Sequence, residues 1–375
     1  MDWPAIGGLS LLRCEFADGE GLACWEEYMK VFLTGGTGFI GQPLTKSLLA
    51  RGWSVTALVR KPDSPQAQAL SKMGAKLTTG DVTERESMRA AMCGAEIAVH
   101  NAGQYEYGMD GAGKQRMRAV NVDGTDNVLG LAHELGIPRT VHVSTIQAFG
   151  ETGPQPRDET FTRQVPCRTT YEQSKTDAHE VARQYQQGGL PLIIVCPHAV
   201  IGANDHSPLG YFLRLYINRV MPPMGWSPNS IFCCVEVHDL AEGIVLAAEK
   251  GRIGETYFLC GEPQSFRETF NCWGKKPGAF LPRMWLPDGL AALFFAPLEP
   301  LQRMLGLPAF LSRETVRAAA TNWNYSSEKA KRELGWTHCS AEAMWFATID
   351  GEIQLLSRRK TQNLIRRLKP LETVS

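Results

Sequence analysis

Glycines at positions 35, 38 and 41 punctuate the run Val31-Phe32-Leu33-Thr34-Gly35-Gly36-Thr37-Gly38-Phe39-Ile40-Gly41. A short apolar strand leads in. A helix leads out, with Leu44, Leu48 and Leu49 on one face and Gly52 just past its end. In a turn of this kind Gly35 permits the tight bend, Gly38 lets backbone approach a pyrophosphate, and Gly41 allows close helix–sheet packing. The helix N-terminus offers unpaired N–H groups and a positive dipole end to the phosphates. The strand–turn–helix context favours a dinucleotide site, with Thr37, Phe39 and Ile40 part of it, over a plain Gly-rich connection.

Strand-like and helix-like segments alternate from residue 29 to about 197. Strands are expected over 31–33, 54–59, 75–79, 96–100, 140–144 and 192–196, with helices over 42–51 and 124–135 among them. The last of these strands is an unbroken apolar run, as suits a strand covered on both faces. Such alternation predicts an α/β fold, a Rossmann-type doubly wound parallel sheet with right-handed crossovers. Past Pro197 the pattern loosens and Gly, Pro and aromatics crowd the chain. A helix over 237–250 and a strand over 255–259 then resume regular structure. The expected division is an N-terminal extension at 1–28, dispensable for folding; a dinucleotide-binding domain at 29–200; a smaller substrate lobe at 201–340, with some segments returning to the sheet; and a basic tail at 341–375.

Composition removes several classes of function. Lys plus Arg equal Asp plus Glu at 39 each among 375 residues, so no general charge draws the chain to nucleic acid or an anionic membrane. The ten cysteines form no C-x-x-C pair, and several sit in apolar runs, which points to a reducing, cytoplasmic setting without disulfides. His198, His206 and His238 share no ligand spacing, so no metal is expected. The longest apolar stretch of the second half, 289–296, falls well short of the ~20 residues a membrane span needs, and Asp2, Glu15 and Asp18 break any secretory signal. Leu355, Leu356, Leu364, Ile365 and Leu368 recur at helical spacing beside Arg358, Arg359, Lys360, Arg366 and Arg367. A solvated terminal helix is the preferred reading of that tail, with peripheral contact to an anionic membrane or a partner as the alternative. A homodimer is left open.

The second strand ends in Arg60 and Lys61, where an NAD site places a carboxylate for the ribose 2′-OH. A guanidinium pairs with a 2′-phosphate and a carboxylate repels it, so NADP is favoured; Asp63, close by, keeps NAD open. Asp81-Val82 follows the third strand, where Asp81 could meet the adenine amino group or cap a helix. Asn101-Ala102-Gly103 follows the fourth, with small residues where backbone approaches a ligand.

Tyr171-Glu172-Gln173-Ser174-Lys175 is a Y-x-x-x-K, whose helical spacing puts phenol and ammonium on one face. The ammonium then favours the phenolate, which suits general acid/base work. Ser144 and Thr145 end the fifth strand, at the carboxyl edge where such sheets bind ligands. A second copy, Tyr325-Ser326-Ser327-Glu328-Lys329, has no dinucleotide strand before it and is read as a decoy, with Ser326 or Ser327 capping the helix that follows.

Taken together, TGGTGFIG, Asn121-Val122-Asp123-Gly124-Thr125, VHVSTIQAFG, YEQSK, and Pro197 with Gly202 and Asp205 resemble extended short-chain dehydrogenases/reductases in order and spacing, from residue 29 to about 336. The nearest resemblance is to the dihydroflavonol-reductase-like and hopanoid-associated sugar-epimerase-like branch. The resemblance implies Tyr171 as general acid/base, Lys175 tuning it and holding the nicotinamide ribose, and Thr145 as hydroxyl donor to the substrate, with Ser144 as its neighbour candidate. It implies Asn121 as part of a proton relay, and Pro197, Ala199 and Val200 near the nicotinamide. Dehydratases of the family follow their Thr with Asp-Glu; Ile146 and Gln147 stand there, so dehydration is not expected. The expected function is an NADP-dependent oxidoreductase on a carbonyl/secondary-alcohol pair of a small molecule. An NAD-dependent nucleotide-sugar epimerase and a non-catalytic NADP sensor are the alternatives. The stretch 201–226, rich in aromatics, Met and Pro, could line an apolar pocket or form ordinary core.

Overall fold

The computed structural model describes residues 29–105, 109–220, 224–276, 282–307 and 310–357. Its centre is a seven-stranded sheet: β1 (Lys30–Thr34), β2 (Ser54–Val59), β3 (Lys76–Thr79), β4 (Ile97–His100), β5 (Arg139–Val143), β6 (Leu192–Pro197) and β7 (Thr256–Leu259). The spatial order is β7-β6-β5-β4-β1-β2-β3 and every pairing is parallel. The order reverses at β1, which places a crevice at the carboxyl ends of β1 and β4.

Period-two alternation divides the core between two faces. Val31, Leu33, Ile193 and Val195 pack on one side with helices α1 (Gly41–Ala50) and, far along the chain, Val237–Lys250. Phe32, Leu192, Ile194 and Cys196 pack on the other with Val128 and Leu129. On that second side α2 (Gly111–Arg118) runs through a π-helical turn, Ala119–Asp123, into α3 (Gly124–Glu134). The sixth strand is buried at all six positions, as its apolar run predicts. Sequence boundaries fall within about a residue of these elements; β5 stops at Val143, so Ser144 and Thr145 sit just beyond the strand. α4 (Thr170–Gln187) carries the Tyr171 motif.

After α5 (Pro208–Ile217) and α6 (Val237–Lys250) the chain adds β7 to the edge of the main sheet, then builds a smaller lobe. That lobe includes α7 (Asp288–Phe295), α8 (Leu298–Met304), α9 (Arg313–Ala319) and α10 (Ala341–Ser357). Its core joins Tyr211, Leu213, Phe270, Trp273, Met344, Trp345 and Ile349. The reading of 341–375 as a basic tail with a solvated helix is corrected over its first half. α10 buries Met344, Trp345, Ile349 and Leu356. Its Glu352, 2% exposed, meets Arg214 of α5, 1% exposed, through Nη2–Oε1 at 2.9 Å and Nε–Oε2 at 3.2 Å. The basic residues from 358 onward, and residues 1–28, lie outside the described residues.

Candidate active site

The glycine turn lies at the crevice. Gly35 adopts φ +72°, and a Cβ there would stand 2.7 Å from the Ala102 nitrogen and the Asn101 oxygen. A Cβ on Gly41 would stand 2.1 Å from the Gly35 carbonyl oxygen, so neither position admits a side chain. Around Gly38 only that same carbonyl oxygen comes within reach, at 3.3 Å, and the remaining side is open. α1 begins with no side-chain cap and no acid in its first turn, whereas Asp110, Thr169 and Ser207 cap α2, α4 and α5. An uncapped helix start above an open glycine is what a pyrophosphate requires. The cradle therefore fits a dinucleotide.

A cavity of about 1660 Å³ runs from this turn into the smaller lobe. Gly35, Thr37, Gly38, Phe39, Ile40, Arg60, Asp81, Val82, Asn101, Ala102 and Gly103 line one end; Thr145, Tyr171, Ala199 and Val200 line the middle; Phe212, Trp226, Phe232, Phe266 and Phe270 line the other. Arg60 is exposed at the rim. Asp81 does not cap the following helix but folds an Asx turn, its Oδ1 accepting from the Thr83 nitrogen and hydroxyl at 3.0 Å each. Gly41, Pro197, Ser144, Asn121 and Lys175 do not line the cavity.

Tyr171 is the second residue of α4, whose start Thr169 caps by accepting from the Glu172 N–H at 3.0 Å. Its ring meets Tyr105 edge-on, with centroids 4.6 Å apart. Lys175 follows one turn later, buried, with Nζ donating to the Val143 carbonyl at 3.3 Å. The ammonium lies beneath Gly103, where a Cβ would be 3.9 Å from it. Thr145 Oγ1 accepts from the Gln147 N–H at 3.3 Å and faces the cavity. Ser144 turns the other way, its hydroxyl 2.9 Å from Nδ1 of buried His179. Of the two hydroxyls, Thr145 is the one a substrate can reach.

Asn121 sits in the π turn. Its Oδ1 accepts from the Gln104 N–H at 2.7 Å, and its Nδ2 donates to the Gln104 carbonyl and the Ser174 hydroxyl, each at 3.0 Å. It thus pins the segment after Gly103 to α4. The second motif is disposed quite differently. Tyr325 is 2% exposed, packs on Phe258, and donates its hydroxyl to the Gly150 carbonyl. Ser327 precedes its helix without capping it; the hydroxyl is held by the Cys260 N–H at 2.7 Å.

A model of the NAD dependent epimerase/dehydratase family matches residues 31–260. The chain belongs to that family. It is an extended short-chain dehydrogenase/reductase, whose relatives are reductases, dehydrogenases and epimerases, and is an NAD(P)-dependent enzyme of that kind. A Stigmatella aurantiaca 4-hydroxy-2-methyl-3-oxo-4-farnesyl-3,4-dihydroquinoline-1-oxide ketoreductase is 32% identical over 82% of this chain and 92% of its own length. Sterol demethylase protein B of Methylococcus capsulatus is 29% identical over 84% of this chain and 95% of its own. Among solved structures, gox2253 matches with a TM-score of 0.73 and 29% identity, covering 87% of this chain and 98% of that one. No helix among the described residues is long and apolar enough to cross a membrane, and no His/Cys/Asp/Glu cluster among them could hold a metal.

Within this family member the sequence reading quoted Glu172 and Asp205 in its motifs but gave neither a role. Glu172, buried, accepts from Arg163 Nη1 at 2.6 Å and from the Arg168 N–H at 2.8 Å, so it anchors the segment that brings Arg168 to the cavity. Its place inside the Y-x-x-x-K motif was the available signal. Asp205, also buried against the cavity, accepts from the Ser207 N–H at 2.7 Å and is pushed up to about 6 by burial.

Burial also lowers Lys175 from 10.5 to about 8. The folded protein therefore releases this proton before the unfolded chain does, and stability rises with pH between those values. The cofactor-free protein should gain up to about 3 kcal/mol relative to a Lys175→Met variant between pH 8 and 10.5. Paired urea titrations across that window check it, and parallel pH dependences in the two proteins would refute it.

Proposed function

We propose that the enzyme is an NADP-dependent reductase or dehydrogenase of a carbonyl/secondary-alcohol pair on a large, mainly apolar substrate. The reading rests on one observation: a single cavity joins the glycine turn, Tyr171 and Thr145 to a wall of aromatics at 212, 226, 232, 266 and 270. Bound nicotinamide supplies or accepts the hydride at the substrate carbon. Gly35 and Gly38, with the start of α1, hold the pyrophosphate, and Arg60 pairs with the 2′-phosphate. Lys175 holds the ribose from beneath Gly103 and keeps a positive charge near the Tyr171 hydroxyl. Thr145 donates to the substrate oxygen and orients it. Tyr171 gives its phenolic proton to the oxygen in reduction and removes it in oxidation. No acid–base pair follows Thr145, since Ile146 is core, so the site is not built to eliminate water.

The aromatic end suits a fused-ring or isoprenoid body better than a nucleoside diphosphate, which would bring two phosphates against apolar rings. This favours a reductase over a nucleotide-sugar epimerase. A panel of ketones, sterols, flavonoids and nucleotide sugars, followed by NADPH oxidation, tests the assignment. Turnover confined to nucleotide sugars, with a nicotinamide retained through purification and no net redox, would favour the epimerase.

Cofactor choice is tested separately. Arg60→Ala should weaken NADPH binding by roughly tenfold to a hundredfold, the worth of a charge-assisted pair of about 1.5–3 kcal/mol. NADH binding should change little. Equal losses in fluorescence titrations with the two nucleotides would remove the 2′-phosphate contact.

A further inference from the structure

Helices α7 and α8 have two unlike faces. Inward, Ala291 and Phe295 pack against Trp226, Val316 and Ala319, and the Phe295 ring meets Trp226 with centroids 4.9 Å apart. Trp226 and Ala319 are themselves walls of the cavity. Outward, Leu290, Leu293, Phe294, Leu301 and Met304 stand in water, Leu293 at 65% and Met304 at 78% exposure. Single exposed apolar residues are ordinary, but five on two consecutive short helices form a patch, and patches of this kind mark contact surfaces.

The exposed charges around the patch are basic; Glu314, between the arginines of α9, is half-buried and partnered. Both acids of the two helices are turned to the protein: Asp288 Oδ1 accepts from the Ser227 N–H and hydroxyl at 3.1 and 2.6 Å, and Glu299 Oε1 accepts from the Arg313 N–H at 3.0 Å. Arg283, in the segment leading to α7, and Arg313 and Arg317 of α9 are exposed. The sequence beyond Ser357 holds six basic residues against one acidic in its last 18 positions.

We propose that the outer face of α7 and α8 docks on the surface of an anionic lipid bilayer, with the side chains of Leu293, Phe294 and Met304 inserted among the acyl chains. Apolar side chains ringed by basic ones match such a surface. A second copy of this chain fits less well, because a twofold contact would set the same arginine rim against itself. Docking would hold the aromatic end of the cavity one helix layer from the lipid, a short route for an apolar substrate. That route rests on the function proposed above; the lipid contact does not.

The full chain is sedimented with sucrose-loaded vesicles of phosphatidylcholine alone or mixed equally with phosphatidylglycerol. The wild-type protein should sediment with the mixed vesicles. Leu293→Ser/Phe294→Ser/Met304→Ser should lose on the order of a hundredfold in partitioning, while keeping its thermal midpoint and NADPH binding, since the three side chains are exposed. Arg313→Gln/Arg317→Gln should weaken binding to the mixed vesicles alone. No sedimentation of the wild type, or equal sedimentation of the triple variant, overturns the proposal and leaves the active-site reading standing. So does a triple variant whose only change is a halved mass in light scattering, which would assign the face to a second copy.

Discussion

Tyr171→Phe is expected to bind NADPH as the wild type does and to turn over roughly 10²–10⁴-fold more slowly. The substitution removes one oxygen and keeps the ring, so the edge-on contact with Tyr105 and the helix around it should persist. The cofactor contacts proposed above, from the glycine turn, Arg60 and Lys175, do not depend on the phenol. What disappears is the proton for the oxygen that gains charge as the carbonyl is reduced. The comparison variant, Tyr325→Phe, should behave in the opposite way. It loses a buried hydrogen bond to the Gly150 carbonyl, at about 1 kcal/mol of stability, and folded molecules should turn over normally. Single-turnover kinetics with a ketone found in the substrate panel, beside NADPH fluorescence titration, make the comparison. Near-normal turnover in the Tyr171 variant, or collapse only in the Tyr325 variant, would reverse the assignment.

The second large effect belongs to the smaller lobe. Arg214→Met should cost about 3–5 kcal/mol, because it leaves the Glu352 carboxylate buried without its counter-charge, held only by the Asn204 N–H. The pair links α5 to α10 across the lobe, and Arg214 also donates to the Asp205 carbonyl. Arg214→Met/Glu352→Met should recover much of the loss, since burying neither charge avoids the desolvation penalty of both. Urea midpoints of the two variants decide it. A single variant within 1 kcal/mol of wild type would mean that water reaches Glu352 and the pair is not sealed.

These two predictions also separate what the sequence made legible from what it hid. Tyr171, Lys175 and the glycines carry spacings imposed by one helix or one turn, and local periodicity exposes such spacings. β6 and α6 were legible for the same reason: an apolar run and a helical stripe are written in consecutive residues. Arg214 and Glu352 are 138 positions apart, and nothing local to either announces the other. The burial of α10 was missed because Arg and Lys beyond 357 dominate the composition of that terminus, and the apolar run from Ala343 to Ile349 was read as part of the same tail. Glu172 was passed over because a charged residue inside a motif looks solvated until Arg163 is brought to it from outside the helix. Ser144 and Thr145 were adjacent candidates in sequence; the end of a strand points consecutive side chains to opposite sides, and only the fold shows which side holds the cavity.

The π turn at Ala119–Asp123 acts as one surplus residue threaded into an otherwise continuous helical rod. Each residue advances an α-helix by about 100°, so the rod before the turn is out of phase with the rod after it. That offset lets α3 keep Val128 and Leu129 in the core while α2 presents Arg116 to the cavity and Asn121 reaches back to Gln104 and Ser174. A chain that dropped this one residue would close into a regular helix with its backbone bonds satisfied and the core under α3 intact. It would also carry Arg116 away from the groove and release the segment after Gly103, so a shorter, straighter helix could fold well and bind its cofactor poorly.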